Sequence, residues 1–268
     1  MEEGAPQISV VVPTRDRPEL LQRCLAALEK QTVAVEIVVV EDKEGRGPAW
    51  ARNEGVHRAQ GEIICFTDDD CAPFPNWAET LAKPIQAGKA QATAGPTHVA
   101  AGATAADLAW EAIVSYLQEQ ATKPGTSSPG FAATANLACS RELMKRLPFD
   151  ESFRAAAGED RDWAERAARL GSAPLFVSQA LVLHQPGMRV RDFLRQQYRY
   201  GRGAALYRST APDRGFGSLS FYAGLLRAGF AMGPAPGSLV CAAQAAMLTG
   251  LVSTHGRSLL WHAAEARS

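Results

Sequence analysis

Three observations in the sequence predict an α/β fold, with a parallel or mixed sheet flanked by helices and a helical C-terminal appendage. Over the first seventy residues, short apolar runs of strand length alternate with segments that keep apolar residues at helical spacing. Each apolar run ends in polar or acidic residues, and beyond about residue 210 the chain becomes apolar, with no formal charge from Ala228 to Thr254.

The first strands are expected at Gln7–Pro13, Val35–Glu41 and Glu62–Thr67, all rich in β-branched residues. Between them, Pro18–Lys30 and Pro48–Gln60 open on proline, which the first helical position tolerates, and the former sets Leu20, Leu21, Leu25 and Leu28 on one face. Strand, helix, strand, helix, strand implies right-handed crossovers and strand exits along one edge. Further strands are expected at Gln91–Val99, Phe131–Cys139 and Leu175–His184, extending the same sheet, with helices at Ala105–Gln120, Gly158–Leu170 and Val190–Tyr207. Thr122–Gly130 reads as a loop by composition. Residues 1–210 form one expected domain and residues 211–268 a helical apolar tail. In that tail Pro234, Pro236 and several glycines interrupt the run, and Ser238–Thr254 falls short of the roughly 20 strongly apolar residues of a spanning helix, so no transmembrane helix is expected.

At 268 residues the chain can bury a large core, and 21% charged residues rule out disorder as the default. Zero net charge leaves no global field for nucleic acid. The five cysteines are scattered without metal-ligand spacing and read as reduced thiols. Met1-Glu2-Glu3-Gly4 leaves no room for a signal peptide, so a cytoplasmic location is expected.

Asp68, Asp69 and Asp70 follow the buried-strand run Ile63-Ile64-Cys65-Phe66 directly. Crowded carboxylates repel unless a cation lies between them, and oxygen ligands of this kind suit Mg²⁺ or Mn²⁺. Residues two apart in an extended segment share a face, which pairs Asp68 with Asp70 and turns Asp69 away. The alternative is an acidic turn with a solvated edge. The same edge collects Thr14, Arg15, Asp16 and Arg17 after the first strand and Glu41 and Asp42 after the second, the makeup of a nucleotide crevice. Neither glycine-rich phosphate loop occurs there, which leaves phosphate binding to a metal.

Together, Val12-Pro13-Thr14 with Arg17, Val40-Glu41-Asp42, Ala51-Arg52-Asn53-Glu54-Gly55, Gly61-Glu62-Ile63-Ile64 leading into Asp68-Asp69-Asp70, Ala135-Asn136 and Gly158-Glu159-Asp160 resemble family 2 glycosyltransferases of the GT-A fold. The resemblance spans about residues 7 to 208. It implies Asp70 as main metal ligand, Asp68 on ribose or metal, and Pro13, Thr14, Arg17, Glu41, Asp42, Arg52 and Asp69 around the nucleotide. Glu41-Asp42-Lys43-Glu44-Gly45 departs from the usual Asp-Asp-Gly-Ser ending, which leaves the base undetermined. The resemblance further implies Asp160 as the base that deprotonates the acceptor hydroxyl, with Glu159 shaping its surroundings or replacing it. A helix N-terminus favours the ionised form that a base requires, and the alternative is two acids complementing a helix dipole. By the same likeness His184 stands where some GT-A enzymes supply a third metal ligand, and a structural histidine is the alternative.

Arg191, Arg195, Arg199 and Arg202 recur every three or four residues. Gln196-Gln197-Tyr198-Arg199-Tyr200 resembles the Gln-x-x-Arg-Trp motif of processive polysaccharide synthases, with tyrosine for tryptophan. That likeness puts Arg199 on diphosphate and Tyr200 on acceptor sugar; the family 2 resemblance separately makes Asn136 an acceptor or diphosphate contact. A solvated basic face and a patch for anionic lipid headgroups are the alternatives.

The expected function is an inverting, metal-dependent transfer from a nucleotide-diphosphate sugar to the hydroxyl of a glycan, lipid-linked or small-molecule acceptor, in cell-envelope or other glycan assembly. The tail then contacts the inner face of a membrane peripherally, joins a second subunit, or packs as core. One rival, a sugar-1-phosphate nucleotidyltransferase, lacks its Gly-rich, Lys-containing loop here. The other, a catalytically silent binding scaffold, has no need of both the metal acids and Asp160.

Overall fold

The computed structural model describes residues 7–122, 132–154, 157–185, 187–209 and 216–265, with side chains throughout except at 122 and 255–265. The predicted loop Thr122–Gly130 lies, apart from its first residue, outside the described residues, as do the start of the predicted strand at 131 and residues 210–215.

In chain order the elements are β1 (Ile8–Thr14), α1 (Pro18–Leu28), β2 (Glu36–Glu41), α2 (Pro48–Arg58), β3 (Ile63–Phe66), β4 (Cys71–Pro73), α3 (Trp77–Gln86), β5 (Ala92–Ala94), β6 (Thr97–Val99) and α4 (Ala105–Thr122). They continue with a 3₁₀ turn (Thr134–Asn136), β7 (Leu137–Ser140), α5 (Arg141–Arg146), α6 (Glu159–Arg169), β8 (Leu175–Phe176), β9 (Val182–His184), α7 (Val190–Ser209), α8 (Leu219–Ala231) and α9 (Pro234–Glu265).

The chain divides into two compact units. The first draws on Met1–Ala101, Leu117–Arg154 and Asp160–Gln185, the second on Gly102–Tyr116, Ala155–Glu159 and Pro186–Ser268.

In the first unit a six-stranded mixed sheet runs β2-β1-β3-β7-β5-β8. β1 lies parallel to both β2 and β3, so the order reverses at β1, the place where open α/β sheets form a crevice. Alternating side chains feed two cores. Val11, Val38, Val40, Ile64 and Phe66 face one cluster with Trp163 of α6. Val10, Val12, Ile63 and Cys65 face the other, with Leu28 of α1 and Trp77 of α3. Burial on both faces makes these strands read as continuous apolar runs. A smaller sheet, β4-β9-β6, joins segments far apart in sequence.

Two predicted strands are broken. Gln91–Val99 is β5 and β6, split at Gly95-Pro96, and a Cβ at Gly95 would run into the Ala180 carbonyl oxygen. Leu175–His184 is β8 in the large sheet and β9 in the small one.

The second unit is helical. Thr104 and Asp107 form a capping box at the start of α4, each side chain accepting the other's backbone N–H, at 3.2 and 2.8 Å. The proline-interrupted tail is a continuous 32-residue α9, because Pro234 and Pro236 fall in its first turn, where the N–H groups lack intrahelical partners. Its stretch Pro234–Thr254, of 21 residues and mean hydropathy 1.4, is long and apolar enough to cross a membrane by length and composition, which corrects the shorter estimate from sequence. Glycines set the helix packing: a Cβ at Gly201 would strike the Met247 backbone, and one at Gly250 the Tyr198 carbonyl.

Candidate active site

The β3 exit places the three aspartates in three different settings. Asp69 is buried and accepts from the Thr14 hydroxyl at 2.7 Å and from Arg17 Nη1 at 3.3 Å. Asp68, 34% exposed, accepts from Nη2 of Arg52, itself 4% exposed on α2, at 2.8 Å. Asp70 accepts from Arg17 Nη1 at 3.1 Å and faces His184 Nε2 at 3.5 Å. The β4–β9 pairing sets Cys71 opposite His184, and the Gln185 amide donates to the Asp70 carbonyl at 2.8 Å.

The carboxyls diverge in acidity. Burial pushes Asp69 up, and the Asp70 and Asp68 charges add to it against the Thr14 hydrogen bond and Arg17. Burial pulls Asp70 the same way, but the hydrogen bond and charge of His184, with Arg17, outweigh it and hold Asp70 below the usual carboxylate range. Asp70 is therefore kept ionised. Burial works against the Arg17 cation, yet the charges of Asp70, Asp69 and Asp68 more than offset it and raise its pKa.

The β2 side contributes differently. Asp42 is buried, and its two oxygens accept the Arg46 and Gly47 amides at 2.8 Å each, tying down the turn that precedes α2. Gly47 holds φ of +105° there, a conformation that favours glycine. Exposed Glu41 pairs with Lys43 at 3.2 Å, and Pro13 is half-buried in β1. Gly55 lets α2 approach β1, since a Cβ would run into Val11.

Asn136, expected as an acceptor or diphosphate contact, is engaged within the fold. It is fully buried, its Oδ1 accepts from Trp77 Nε1, and its Nδ2 donates to the Pro96 and Ala180 carbonyls, all at 2.8 Å. Its amide braces strand ends. Its partner Trp77, on α3, is fully buried and drew no comment in the sequence.

On α6, Glu159 is buried and Asp160 half-buried, with Asp160 Oδ1 accepting the Arg161 amide at 2.7 Å. In the helical unit Arg199 is exposed and Tyr200 half-buried on α7. Sequence reading passed over the Cys71 thiol, whose Sγ lies 3.7 Å from Asp70 Oδ1; burial, with the Asp70 charge, raises its pKa well above the usual thiol range.

Among the described residues no ready-made group of three His, Cys, Asp or Glu gathers for a metal. The donors that fit are a pair, Asp70 and His184, 3.5 Å apart, while Asp68 of the same strand exit is part-exposed and paired with Arg52. That set suits an Mg²⁺ or Mn²⁺ ion that takes its remaining ligands from water and substrate phosphate.

Residues 37–144 match the family model described as glycosyl transferase family 2. The chain carries a family 2 glycosyltransferase domain. Over 234 residues it is 26% identical to glycosyltransferase AglE of Haloferax volcanii, covering 76% of this chain and 74% of AglE. Over 231 residues it is 26% identical to a pre-mycofactocin glycosyltransferase of Mycobacterium tuberculosis, covering 77% of this chain but 48%, about half, of that protein. The fold of this glycosyltransferase is GT-A. A Pyrobaculum calidifontis mannosyltransferase, PcManGT, solved with GDP-Man and Mn²⁺, superposes with TM-score 0.52 at 19% identity, covering 98% of this chain and 81% of that one. S. aureus TarS 1-349 with UDP-GlcNAc gives 0.55 at 14% identity, covering 95% and 92%.

Proposed function

We propose that this glycosyltransferase moves a sugar, with inversion, from a nucleotide-diphosphate donor to an acceptor hydroxyl. The observation that supports this most is the distinct partnering of Asp68, Asp69 and Asp70 at the β3 exit. Thr14, Arg17, Arg52 and Asp42 rim the nucleotide, and Asp70, with Asp68 and His184, holds Mn²⁺ or Mg²⁺. Bound there, the ion supplies Lewis-acid neutralisation of the charge that develops on the leaving diphosphate. Asp160, or Glu159 in its place, takes the proton from the acceptor hydroxyl as its oxygen bonds to the anomeric carbon. The bond from that carbon to the diphosphate oxygen breaks, and the electron pair leaves with the nucleoside diphosphate. Solved GT-A neighbours with GDP-Man and UDP-GlcNAc support a nucleotide-sugar donor. Residues 1–210 form the functional domain, residues 211–268 an appendage, and the chain acts at the cytoplasmic face of a membrane on a glycan, lipid-linked or small-molecule acceptor.

The test is thermal stabilisation by UDP, GDP and TDP, each with Mn²⁺ and with chelator, alongside a transfer assay, since a ligand of the folded state raises stability by mass action. Asp70→Ala should abolish the metal-dependent shift, whereas Asp160→Asn should keep it and lose transfer. Equal loss of nucleotide binding in both variants contradicts these roles.

A further inference from the structure

Two hollows in the helical unit share one stripe of α7. Leu194, Tyr198, Gly201, Ala204 and Arg208 recur every three or four residues and so lie on one helix face. At the N-terminal end of that stripe Arg191, Arg195 and Arg199 line an open hollow of about 510 Å³ with Leu194 and Tyr198. At the other end Gly201 and Ala204 floor a cavity of about 480 Å³, walled by Phe216, Tyr222, Leu226, Met247 and Leu251. That volume is in the range of about 300–1,000 Å³ typical of small-molecule sites, which are apolar with a few orienting polar groups.

The cavity has two such groups. Arg208 lines it with Nη1 donating to the Ala204 carbonyl at 3.0 Å and its guanidinium 4.5 Å over the Phe216 ring. Gln244 lines it too, and its buried Nε2 has no hydrogen-bond partner among the described residues. A buried donor without an acceptor is costly, and one in an apolar cavity is suited to a ligand oxygen. One face of α9, which includes the cavity-lining Cys241 and Leu248, is unusual for a helix in water. Ser238, Cys241, Ala245, Leu248 and Val252 follow one another at helical spacing, all exposed and all uncharged.

We infer that the α7 stripe binds a single phospho-amphiphile, its phosphate at Arg191, Arg195 and Arg199 and its hydrocarbon chain in the neighbouring cavity. Arg195 and Ala204 lie about 14 Å apart along the axis at 1.5 Å per residue, a span that a phosphate head and the body of one chain bridge. The charge argues for an anion: α7 has five arginines against one aspartate, Asp192, and Arg199 has no carboxylate partner among the described residues. A second copy of this chain would bring the same arginine surplus and match it poorly. The inference deepens the lipid-contact part of the proposed function without resting on sugar transfer, so the two fail separately.

The native chain contains its own probe. Cys241 is exposed and lines the cavity, whereas Cys24, Cys65, Cys71 and Cys139 are buried and their thiols raised by burial. Maleimide labelling of the full chain should therefore report Cys241. Monomeric lysophosphatidic acid at about ten times its dissociation constant should slow labelling roughly tenfold by mass action. Inorganic phosphate or a monoacylglycerol of the same chain length should leave the rate unchanged, and Arg191→Glu with Arg195→Glu should remove the protection. Phosphatidylglycerol vesicles distinguish the sources: protection by them as well assigns the site to bilayer lipid, protection by the monomer alone to a singly carried lipid, and either upholds the site. No protection by lysophosphatidic acid, or equal protection by the uncharged monoacylglycerol, overturns it.

Discussion

Replacing Asn136 with alanine separates a brace from a substrate contact. The native amide satisfies the buried Trp77 indole N–H and donates to two carbonyls, Pro96 and Ala180, on segments that enclose the broken strand at Gly95. Alanine leaves the indole donor buried without an acceptor, a cost of about 1–3 kcal/mol, and each carbonyl loses a donor worth about 0.5–1.5 kcal/mol. Summed, the expected destabilisation is about 2–6 kcal/mol, large for one substitution because it breaks a buried hydrogen-bond network. Urea unfolding followed by tryptophan fluorescence should show an earlier midpoint with similar slope. Transfer per folded molecule should stay within a few-fold of the parent. A variant as stable as the parent that has lost transfer would refute the brace and return Asn136 to the acceptor site.

Two further substitutions test the scaffold. Gly55→Ala drives a Cβ into Val11, so overpacking should cost about 1–3 kcal/mol and weaken nucleotide binding by shifting Arg52 away from Asp68; calorimetric unfolding with nucleotide titration reads both. Asp107 is buried, which raises its pKa, but the Gly187, Thr104 and Met188 amides and the Thr104 hydroxyl outweigh burial and hold it low. A carboxyl held lower in the folded state stabilises fully above its unfolded pKa and loses that contribution as pH falls through the folded one. Stability should therefore decline on acidification below about pH 4 with a shallower slope in Asp107→Asn, and an identical acid limb in urea melts from pH 2 to 6 would contradict the assignment.

The parallel strands were legible because burial on both faces removes alternation and leaves unbroken β-branched runs, so β1, β2 and β3 fall within a residue or two of their expected bounds. What stayed hidden is nonlocal. The break at Gly95-Pro96 depends on the close approach of Ala180, 85 positions later, and no local pattern announces it. Asn136 shows the same limit: a short motif suggests a role, but burial is decided by which distant carbonyls close over the amide. Pro234 and Pro236 misled in another way, since proline breaks a helix only beyond the first turn and both lie inside it.

The aspartate cluster calls for a revised argument. Crowding of like charge was the reason to expect a cation, yet the chain already answers much of that charge itself: Arg52 for Asp68, Thr14 and Arg17 for Asp69, Arg17 and His184 for Asp70. Repulsion alone therefore does not demand a metal. The stronger ground is inequality among the three. Arg52 is buried and pairs with Asp68, whereas Arg17 is 50% exposed and divided between Asp69 and Asp70, so its charge is open to redirection by a ligand. Asp70 is held below the usual carboxylate range by His184 and Arg17, whereas burial pushes Asp69 up, so Asp70 is the one of this pair that depends on neighbouring cations. An incoming diphosphate attracts Arg17, and each step that Arg17 takes toward it leaves Asp70 less compensated. On the proposed reading, the pull of the aspartates for a divalent ion would therefore grow as the donor binds, favouring joint rather than separate binding of metal and nucleotide.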